Sequence, residues 1–222
     1  MSQDSSESSG GREYHSGVRK QAVFVALAAL LVYSRALGNA FVQWDDGLLV
    51  LRNDLIQTLN PDTFKAIFTS YDPELYIPLT FLTYQIETAL FGMNPLVFHL
   101  TNVLLHAGNS VLVFFLLRRF PFPLSHSLFP LLLALLFAVH PLNTEAVAWV
   151  SARKDLLATF FSLLTIFTYL RKPGFLSLLF FLCALLSKVS AASVPLLLIL
   201  LDVQTRKRAN VRTYIPYFLL SI

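Results

Sequence analysis

The chain is poor in charge and in cysteine. Charged side chains make up 14% of its 222 residues, whereas a soluble domain carries about a quarter. The single cysteine, Cys183, excludes a disulfide within the chain, and its place inside an apolar run predicts a packing role. A glycine-rich nucleotide-binding loop of the familiar kinds is also missing. These absences do not favour a soluble nucleotide-binding or disulfide-stabilised domain.

Apolar residues are abundant and clustered. They make up 55% of the chain and include 20 phenylalanines. Long apolar runs predict an all-α fold, a multi-pass bundle of transmembrane helices. The net charge of +4 comes from basic residues at the ends of these runs, where membrane topology places them, so no nucleic-acid partner is predicted. The runs are 21–37, 95–117, 127–139, 155–170, 174–187, 189–201 and 213–222.

The sequence divides into a polar tail, residues 1–20, and a membrane domain, residues 21–222. The tail is rich in Ser and Gly, and we predict that it is disordered and cytoplasmic. The run 21–37 could also be a signal peptide cleaved after 38–40, but its long polar leader favours an uncleaved helix. Because the last run stops within a helical pattern at "YIPYFLLSI", we expect a truncated chain.

Basic residues predict the orientation of the chain. Arg118 with Arg119, Arg171 with Lys172, and the cluster 206–208 can all lie inside together with the N-terminus. The first loop, residues 38–95, and the turn 140–155 then lie outside, in the periplasm or lumen. The segment 174–201 is either two short helices or one tilted helix.

Two positive charges depart from the positive-inside rule, by which basic residues lie on the inner side of the membrane. Arg153 and Lys154 fall on the outside, where basic residues are disfavoured. Such a departure suggests a function for the two cations. The alternative is a simple ion pair with Asp155 or with lipid headgroups.

The first outside loop contains two helical patterns. Asn60 is a favourable N-cap followed by Pro61 at the first helical position. Further on, apolar residues recur at helical spacing. We predict short amphipathic helices that lie in the interface and form a lid over the bundle. The apolar residues of the second pattern are Leu79, Leu82, Ile86 and Leu90.

A polar stripe runs along the apolar segment 95–117. His99, Asn102, His106 and Asn109 are spaced 3, 4 and 3 residues apart, which confines them to an arc of about 80° on a helix. Unpaired polar groups are costly in a membrane. The stripe therefore bonds to neighbouring helices or lines a substrate cavity. We predict no metal site here, because His99 and His106 lie two turns apart.

The turn 140–155 combines an acid, an aromatic ring and a guanidinium. If a helix begins near Pro141, then Glu145, Trp149 and Arg153 share one face. The indole can stack on a sugar ring, and the guanidinium can bind phosphate oxygens in a bidentate manner. Alternatively, Trp149 is an interfacial anchor and the two charges face lipid headgroups.

Three stretches resemble one family: "FVQWDDGLLV", "YIPLTFLTYQIETALFGMNPLVFHLTNVLLHAGNSVLVFFLLRR" and "FAVHPLNTEAVAWVSARKDLLATFFSLLTIFTYL". They look like the membrane half of the transmembrane and tetratricopeptide-repeat-containing proteins and their bacterial relatives. That family is similar to the protein O-mannosyltransferases, with the GT-C membrane glycosyltransferase fold. The resemblance spans about 22–203, and "HPxxxEAVAWxxxRKD" is its specific motif. Ile77 stands where many members have Arg, and the repeats are absent.

The resemblance implies an inverting glycosyltransferase whose acidic motif is Asp45–Asp46. One carboxylate accepts the proton of the acceptor hydroxyl; we favour Asp45 as this base, with Asp46 as its orienting partner. Arg153 and Lys154 stabilise the leaving phosphate. The candidate residues for binding substrate and phosphate are Arg153, Lys154, Glu145, Trp149, His140, His99, Asn102 and His106.

The implied donor is a polyprenyl- or dolichyl-phosphate sugar, mannose if the eukaryotic members are the guide. The implied acceptor is a Ser or Thr hydroxyl of a secreted or membrane protein, and the membrane is bacterial inner membrane or endoplasmic reticulum, with the site on its periplasmic or lumenal side. No tightly bound cofactor is expected, and the need for a divalent metal stays open.

Three alternatives remain at this stage. The acceptor could be a lipid or a glycan. The chain could be a non-catalytic binding or transport protein, which predicts internal repeats with paired broken helices, and we find no such repeat in the sequence. It could also be an inactive fragment of an enzyme.

Overall fold

The structure, a computed structural model, describes residues 4–71, 75–120, 128–205 and 211–221. These residues form helices and turns without a strand, so the all-α prediction is confirmed. The basic cluster 206–208 lies outside the described residues. The helices are α1 (Asp4–Tyr33), α2 (Asp54–Gln57), α3 (Pro61–Thr69), α4 (Pro78–Phe91), α5 (Pro95–Leu117), α6 (Leu128–Val139), α7 (Thr144–Ala148), α8 (Arg153–Arg171), α9 (Phe175–Ser187), α10 (Val194–Gln204) and α11 (Val211–Leu220).

Helix α1 contains the first apolar run. The portion long and apolar enough to cross a membrane is Ser16–Gly38, which includes the 3₁₀ turn Ser34–Gly38. Val25 and Ala29 are fully buried against α5 and α6. The helix begins at Asp4, within the segment predicted to be a disordered tail. Extending a nucleated helix by one residue costs little, which is the physical reason for this early start.

Helix α5 is the centre of the bundle. Asn94 caps it by accepting a hydrogen bond from the Leu96 N–H at 3.1 Å, and Pro95 is its first residue, as the sequence predicted. Its 23 residues extend for about 35 Å, enough to cross the hydrocarbon core of a bilayer. It packs against α1, α6 and α8, so the cleft described below is built around it.

The remaining apolar helices are shorter. In the described residues two helices are long and apolar enough to span a membrane, or three if α6 and the bent segment Pro141–Ala148 form one span. The segment 174–201 is two helices, because the backbone is extended at Lys188 between α9 and the 3₁₀ turn Val189–Ser193 that leads into α10. The two-helix alternative is therefore the one that the structure has.

The first outside loop folds into α2, α3 and α4. Asn60 caps α3 reciprocally with Thr63, and Pro61 begins it, as predicted. Helix α4 packs over α5, α8 and α9, but its inward face is not the predicted apolar stripe. Ile86 and Leu90 are 43% and 68% exposed. The face turned to the protein carries Thr80, Phe81, Tyr84, Gln85 and Glu87.

Candidate functional site

A cleft of about 840 Å³ lies between the start of the first loop and the turn after α6. It joins segments that are about a hundred residues apart in the sequence. Of the predicted site residues, Asp46, Glu145 and Trp149 line it together. Its other lining residues are 39–44, Thr144 and Ala148.

Asp46 is buried and fully engaged with the backbone around it. Its Oδ2 accepts the Val42 N–H at 3.0 Å. Its Oδ1 accepts the backbone N–H of Ser151 at 2.9 Å and the Ser151 hydroxyl at 2.5 Å. Because charge-assisted hydrogen bonds are among the stronger ones, this carboxylate holds the loop against the turn. Its geometry suits an orienting group better than a proton acceptor.

Asp45 is the accessible carboxylate of the pair. Its side chain is 48% exposed, and its Oδ2 lies 3.6 Å from Lys154 Nζ. Lys154 also donates to the Ser151 carbonyl at 3.1 Å and lies 5.8 Å from the centre of the Trp149 ring. A half-exposed carboxylate and a cation therefore stand side by side next to the cleft.

The chain breaks its helix at Trp149. Helix α7 ends at Ala148, Trp149 is extended, and α8 begins only at Arg153 after a 3₁₀ turn. The prediction that Glu145, Trp149 and Arg153 share one helical face was therefore wrong. Asn102 stabilises the break by donating from Nδ2 to the Trp149 carbonyl at 2.9 Å.

Two tryptophans lie in the walls of the cleft. Trp149 is half-buried, and Trp44, on the facing loop, is 81% exposed. Flat aromatic surfaces of this kind can cover the apolar face of a sugar ring. Glu145, also exposed in this cleft, adds a hydrogen-bond acceptor.

Arg153 is buried away from the cleft. Its Nη1 lies 2.7 Å from Glu87 Oε2, and its Nε donates to Asn102 Oδ1 at 2.9 Å. It also donates to the Phe98 carbonyl and the Thr83 hydroxyl. The ion pair is thus with Glu87, whereas Asp155 pairs with Lys188. Arg153 joins α8 to α4 and α5.

Tyr84 completes the surroundings of Arg153. Its ring centre lies 4.5 Å from the guanidinium carbon, and its hydroxyl donates to the Val150 carbonyl at 2.8 Å. Burial raises the pKa of Tyr84, an effect that the positive charge of Arg153 partly opposes. The hydroxyl therefore stays protonated and serves as a donor to the turn.

The polar stripe of α5 bonds mainly to neighbouring segments. Besides Asn102, His106 Nε2 lies 2.9 Å from the Ala138 carbonyl, and Asn109 donates to the Leu156 carbonyl at 3.0 Å. His99 is buried, and neither ring nitrogen has a partner of normal hydrogen-bond geometry among the described residues. These contacts support the helix–helix interpretation. None of the four stripe residues lines the cleft.

His140 has a local structural contact. Its Nδ1 accepts the Leu142 N–H at 3.2 Å and so caps the 3₁₀ turn Pro141–Asn143, while its carbonyl accepts the Tyr33 hydroxyl at 2.8 Å. It is not part of the cleft lining. Among the described residues, no three His, Cys, Asp or Glu side chains cluster as metal ligands do.

Sequence reasoning missed Ser151, Glu87 and Trp44. Ser151 lies 105 residues from Asp46, and Glu87 lies 66 from Arg153. The spacing of residues within one helix cannot predict partners that lie so far apart in the sequence. The one available signal was that a basic pair on the outside requires acids nearby, and Glu87 is an acid in the same outside segment.

The apolar helices and the cleft at their end define the class, an all-α membrane protein. The chain is 32% identical to protein O-mannosyl-transferase TMTC1 of Mus musculus over 199 residues, which cover 78% of this chain and 21% of that protein. It is 37% identical to human TMTC3, another protein O-mannosyl-transferase, over 70% of this chain and 17% of that protein. For human TMTC4, of the same name, the identity is 36% over 65% and 22%.

These relatives confirm the family resemblance: the chain is a homologue of the N-terminal part of the TMTC-like proteins. It spans about a fifth of the length of the curated relatives it matches. No family model matches the chain, and no solved structure matches it significantly.

Proposed function

We propose that this chain is part of a membrane glycosyltransferase of the GT-C type. The reaction moves a mannose-like sugar from a polyprenyl- or dolichyl-phosphate to a Ser or Thr hydroxyl of a protein. The name that the relatives share, protein O-mannosyl-transferase, supports the sugar and the acceptor class. The observation that carries the proposal is the half-exposed Asp45 carboxylate, which stands beside Lys154 next to a cleft lined by two tryptophans.

The transfer step is a direct displacement. The acceptor oxygen attacks the anomeric carbon as Asp45 takes the hydroxyl proton, and the bond from that carbon to the phosphate oxygen breaks. The electron pair leaves with the lipid phosphate, so the anomeric configuration inverts. General-base assistance of this kind is worth about 10²–10⁴-fold in rate.

The surrounding residues position these groups. Asp46 fixes the loop that carries Asp45, through its hydrogen bonds to Ser151. Lys154, the member of the predicted cation pair that lies next to the cleft, stabilises the charge that develops on the leaving phosphate. Trp149 and Trp44 stack on sugar rings, and the Glu145 carboxylate accepts a hydrogen bond from a sugar hydroxyl. Arg153 is a positioning residue that holds the start of α8.

The test uses the full-length gene product in membranes, radiolabelled lipid-phosphate mannose and a library of Ser- and Thr-containing peptides. We expect Asp45→Asn to reduce label transfer to peptide by at least 100-fold at unchanged expression. The matched control is Asp62→Asn, which removes an exposed carboxylate from α3 in the same loop and leaves transfer intact.

The other outcomes separate the alternatives. Transfer that survives Asp45→Asn but not Asp46→Asn makes Asp46 the base. Transfer that survives both changes overturns this assignment. Label recovered in lipid or glycan rather than in peptide changes the acceptor class. Inversion is tested by NMR, which compares the anomeric configuration of the transferred sugar with that of the donor. A wild type inactive with lipid-phosphate donors favours a binding role.

A further inference from the structure

The end of the bundle opposite the cleft carries basic residues. Helices α5 and α8 run in the same direction, because Asn109 of α5 contacts Leu156 near the start of α8 and Arg119 contacts Phe167 near its end. The cleft lies beside Asn102 of α5, which contacts Trp149, so the helical stretch from Asn102 to Arg119, about 25 Å, separates the two ends. That distance approaches the apolar thickness of a bilayer.

Two arginines share one aromatic ring at this end. The guanidinium carbons of Arg119 and Arg171 lie 4.1 and 4.5 Å from the centre of the Phe167 ring. Arg119 also donates to the Phe167 carbonyl at 3.3 Å. Burial and the neighbouring charge of Arg171 lower the pKa of Arg119. Two like charges held together by packing form a strong local attraction for an anion.

No described carboxylate compensates these charges. Three ion pairs lie near the cleft end of α8: Arg153–Glu87, Lys154–Asp45 and Lys188–Asp155. Arg119, Arg171 and Lys172 form no ion pair with a described carboxylate.

A second cleft adjoins these cations. It has a volume of about 390 Å³ and lies at the turn between α8 and α9, where Arg171 and Lys172 line it. Its other side is apolar: Phe175 is 80% exposed and Leu176 is 52% exposed. A basic wall beside an exposed apolar edge has the chemistry of a phosphate group joined to a hydrocarbon chain.

We propose that this cleft binds the phosphate headgroup of an anionic phospholipid. Arg171 and Lys172 contact the headgroup phosphate, Arg119 adds its charge from the turn that follows α5, and an acyl chain lies along Phe175 and Leu176. The site is on the opposite membrane face from the proposed transfer site. It does not depend on sugar transfer, so the two proposals succeed or fail separately.

The experiment measures lipid retention by native mass spectrometry of the full-length gene product, exchanged into phosphatidylcholine nanodiscs with a small share of phosphatidylglycerol. We expect Arg171→Gln with Lys172→Gln to weaken phosphatidylglycerol retention about 25-fold, or about fivefold per charge, and to leave phosphatidylcholine unaffected. The matched control, Arg35→Gln with Lys65→Gln, removes two exposed charges outside this cleft and retains the lipid.

Further variants distinguish the source of the phosphate and guard against misfolding. Arg171→Lys with Lys172→Arg keeps both charges and restores retention. Glycerol phosphate, added as a soluble competitor, displaces the lipid only at far higher concentration, because it lacks the acyl chain that Phe175 contacts. Equal loss in the control pair, or competition by glycerol phosphate as strong as by the lipid, overturns the proposal.

Discussion

At the scale of residues, the pair of Arg153 and Glu87 is a buried ion pair, which is costly to remove from water. Arg153 has no exposed surface, and its partners come from two different helices: Glu87 and Thr83 of α4, and Phe98 and Asn102 of α5. A buried charge is tolerated only when every strong partner is present. This pair therefore makes the first outside loop and the start of α8 interdependent.

Arg153→Met is expected to lower the free energy of unfolding by about 3–5 kcal/mol, because it leaves the Glu87 carboxylate buried and unpaired. Adding Glu87→Gln to this variant recovers part of the loss, since the amide carries no charge. The measurement is chemical denaturation in detergent, analysed as a double-mutant cycle.

The matched control is Lys188→Met, which breaks the partly exposed pair with Asp155 and costs about 0–1 kcal/mol. A cost for Arg153→Met no larger than this would show that the guanidinium is hydrated rather than buried, and would return it to consideration as a phosphate ligand.

Prediction from sequence succeeded for residues whose neighbours are close in the chain. Asn60 and Asn94 cap helices because each bonds to a residue two or three positions on. It failed for Arg153, whose partners lie 51–70 residues away. The adjacent acids of "WDD" have different surroundings for the same reason: Asp46 accepts hydrogen bonds from the distant Ser151, whereas Asp45 lies beside the distant Lys154.

At the scale of elements, α4 shows that a hydrophobic pattern gives the period of a helix without giving its orientation. The leucine spacing correctly indicated a helix. Its polar side is turned to the protein: Gln85 donates to the carbonyls of Leu55 and Thr58 and to Thr63 in the segment of α2 and α3, and Glu87 pairs with Arg153 of α8. In a membrane-bound chain the apolar side of a helix can face lipid, so the pattern alone does not tell inside from outside.

Alanine substitution on the two faces of α4 tests this orientation. Phe81→Ala removes a ring that is 2% exposed and is expected to cost about 3–5 kcal/mol of unfolding free energy. Leu90→Ala, its control on the outer face, costs less than about 0.5 kcal/mol in detergent. Both costs are measured by the same denaturation assay. A larger cost for Leu90→Ala than for Phe81→Ala would show that the opposite face of α4 packs against the protein.

The turn from α6 to α8 shows the limit of periodicity in another way. Residues 144–171 keep a helical pattern, yet the helix is interrupted at Trp149. The carbonyls released there accept hydrogen bonds from other elements: Asn102 Nδ2 donates to the Trp149 carbonyl, and the Tyr84 hydroxyl donates to the Val150 carbonyl. When the residues that stabilise an interruption lie on other helices, the sequence of the interrupted segment contains no signal that predicts it.

At the scale of the whole molecule, the two clefts lie at opposite ends of one helical bundle. Arg153 and Lys154 pair with acids at the first end, whereas Arg119 and Arg171 lie against Phe167 at the second end and pair with no described carboxylate. From the positive-inside rule we expect the second end to face the cytoplasm. Because α5 and α8 are parallel neighbours, a segment of the chain must return across the membrane between them, and α6 is the described helix in that position.

Site-directed labelling tests this arrangement, and the single cysteine makes it practicable. In a Cys183→Ala background, Leu142→Cys replaces a side chain that is 84% exposed at the cleft end, and we expect a membrane-impermeant maleimide to modify it from outside in sealed vesicles. Lys172→Cys is modified only after the membrane is permeabilised, because the apolar length of α5 separates the two positions. Ala134→Cys, at a fully buried position, stays unmodified in both conditions and controls for unfolding. Labelling of Leu142→Cys and Lys172→Cys from the same side would mean that α5 does not cross the bilayer, and the sugar-transfer cleft and the lipid cleft would then share one membrane face.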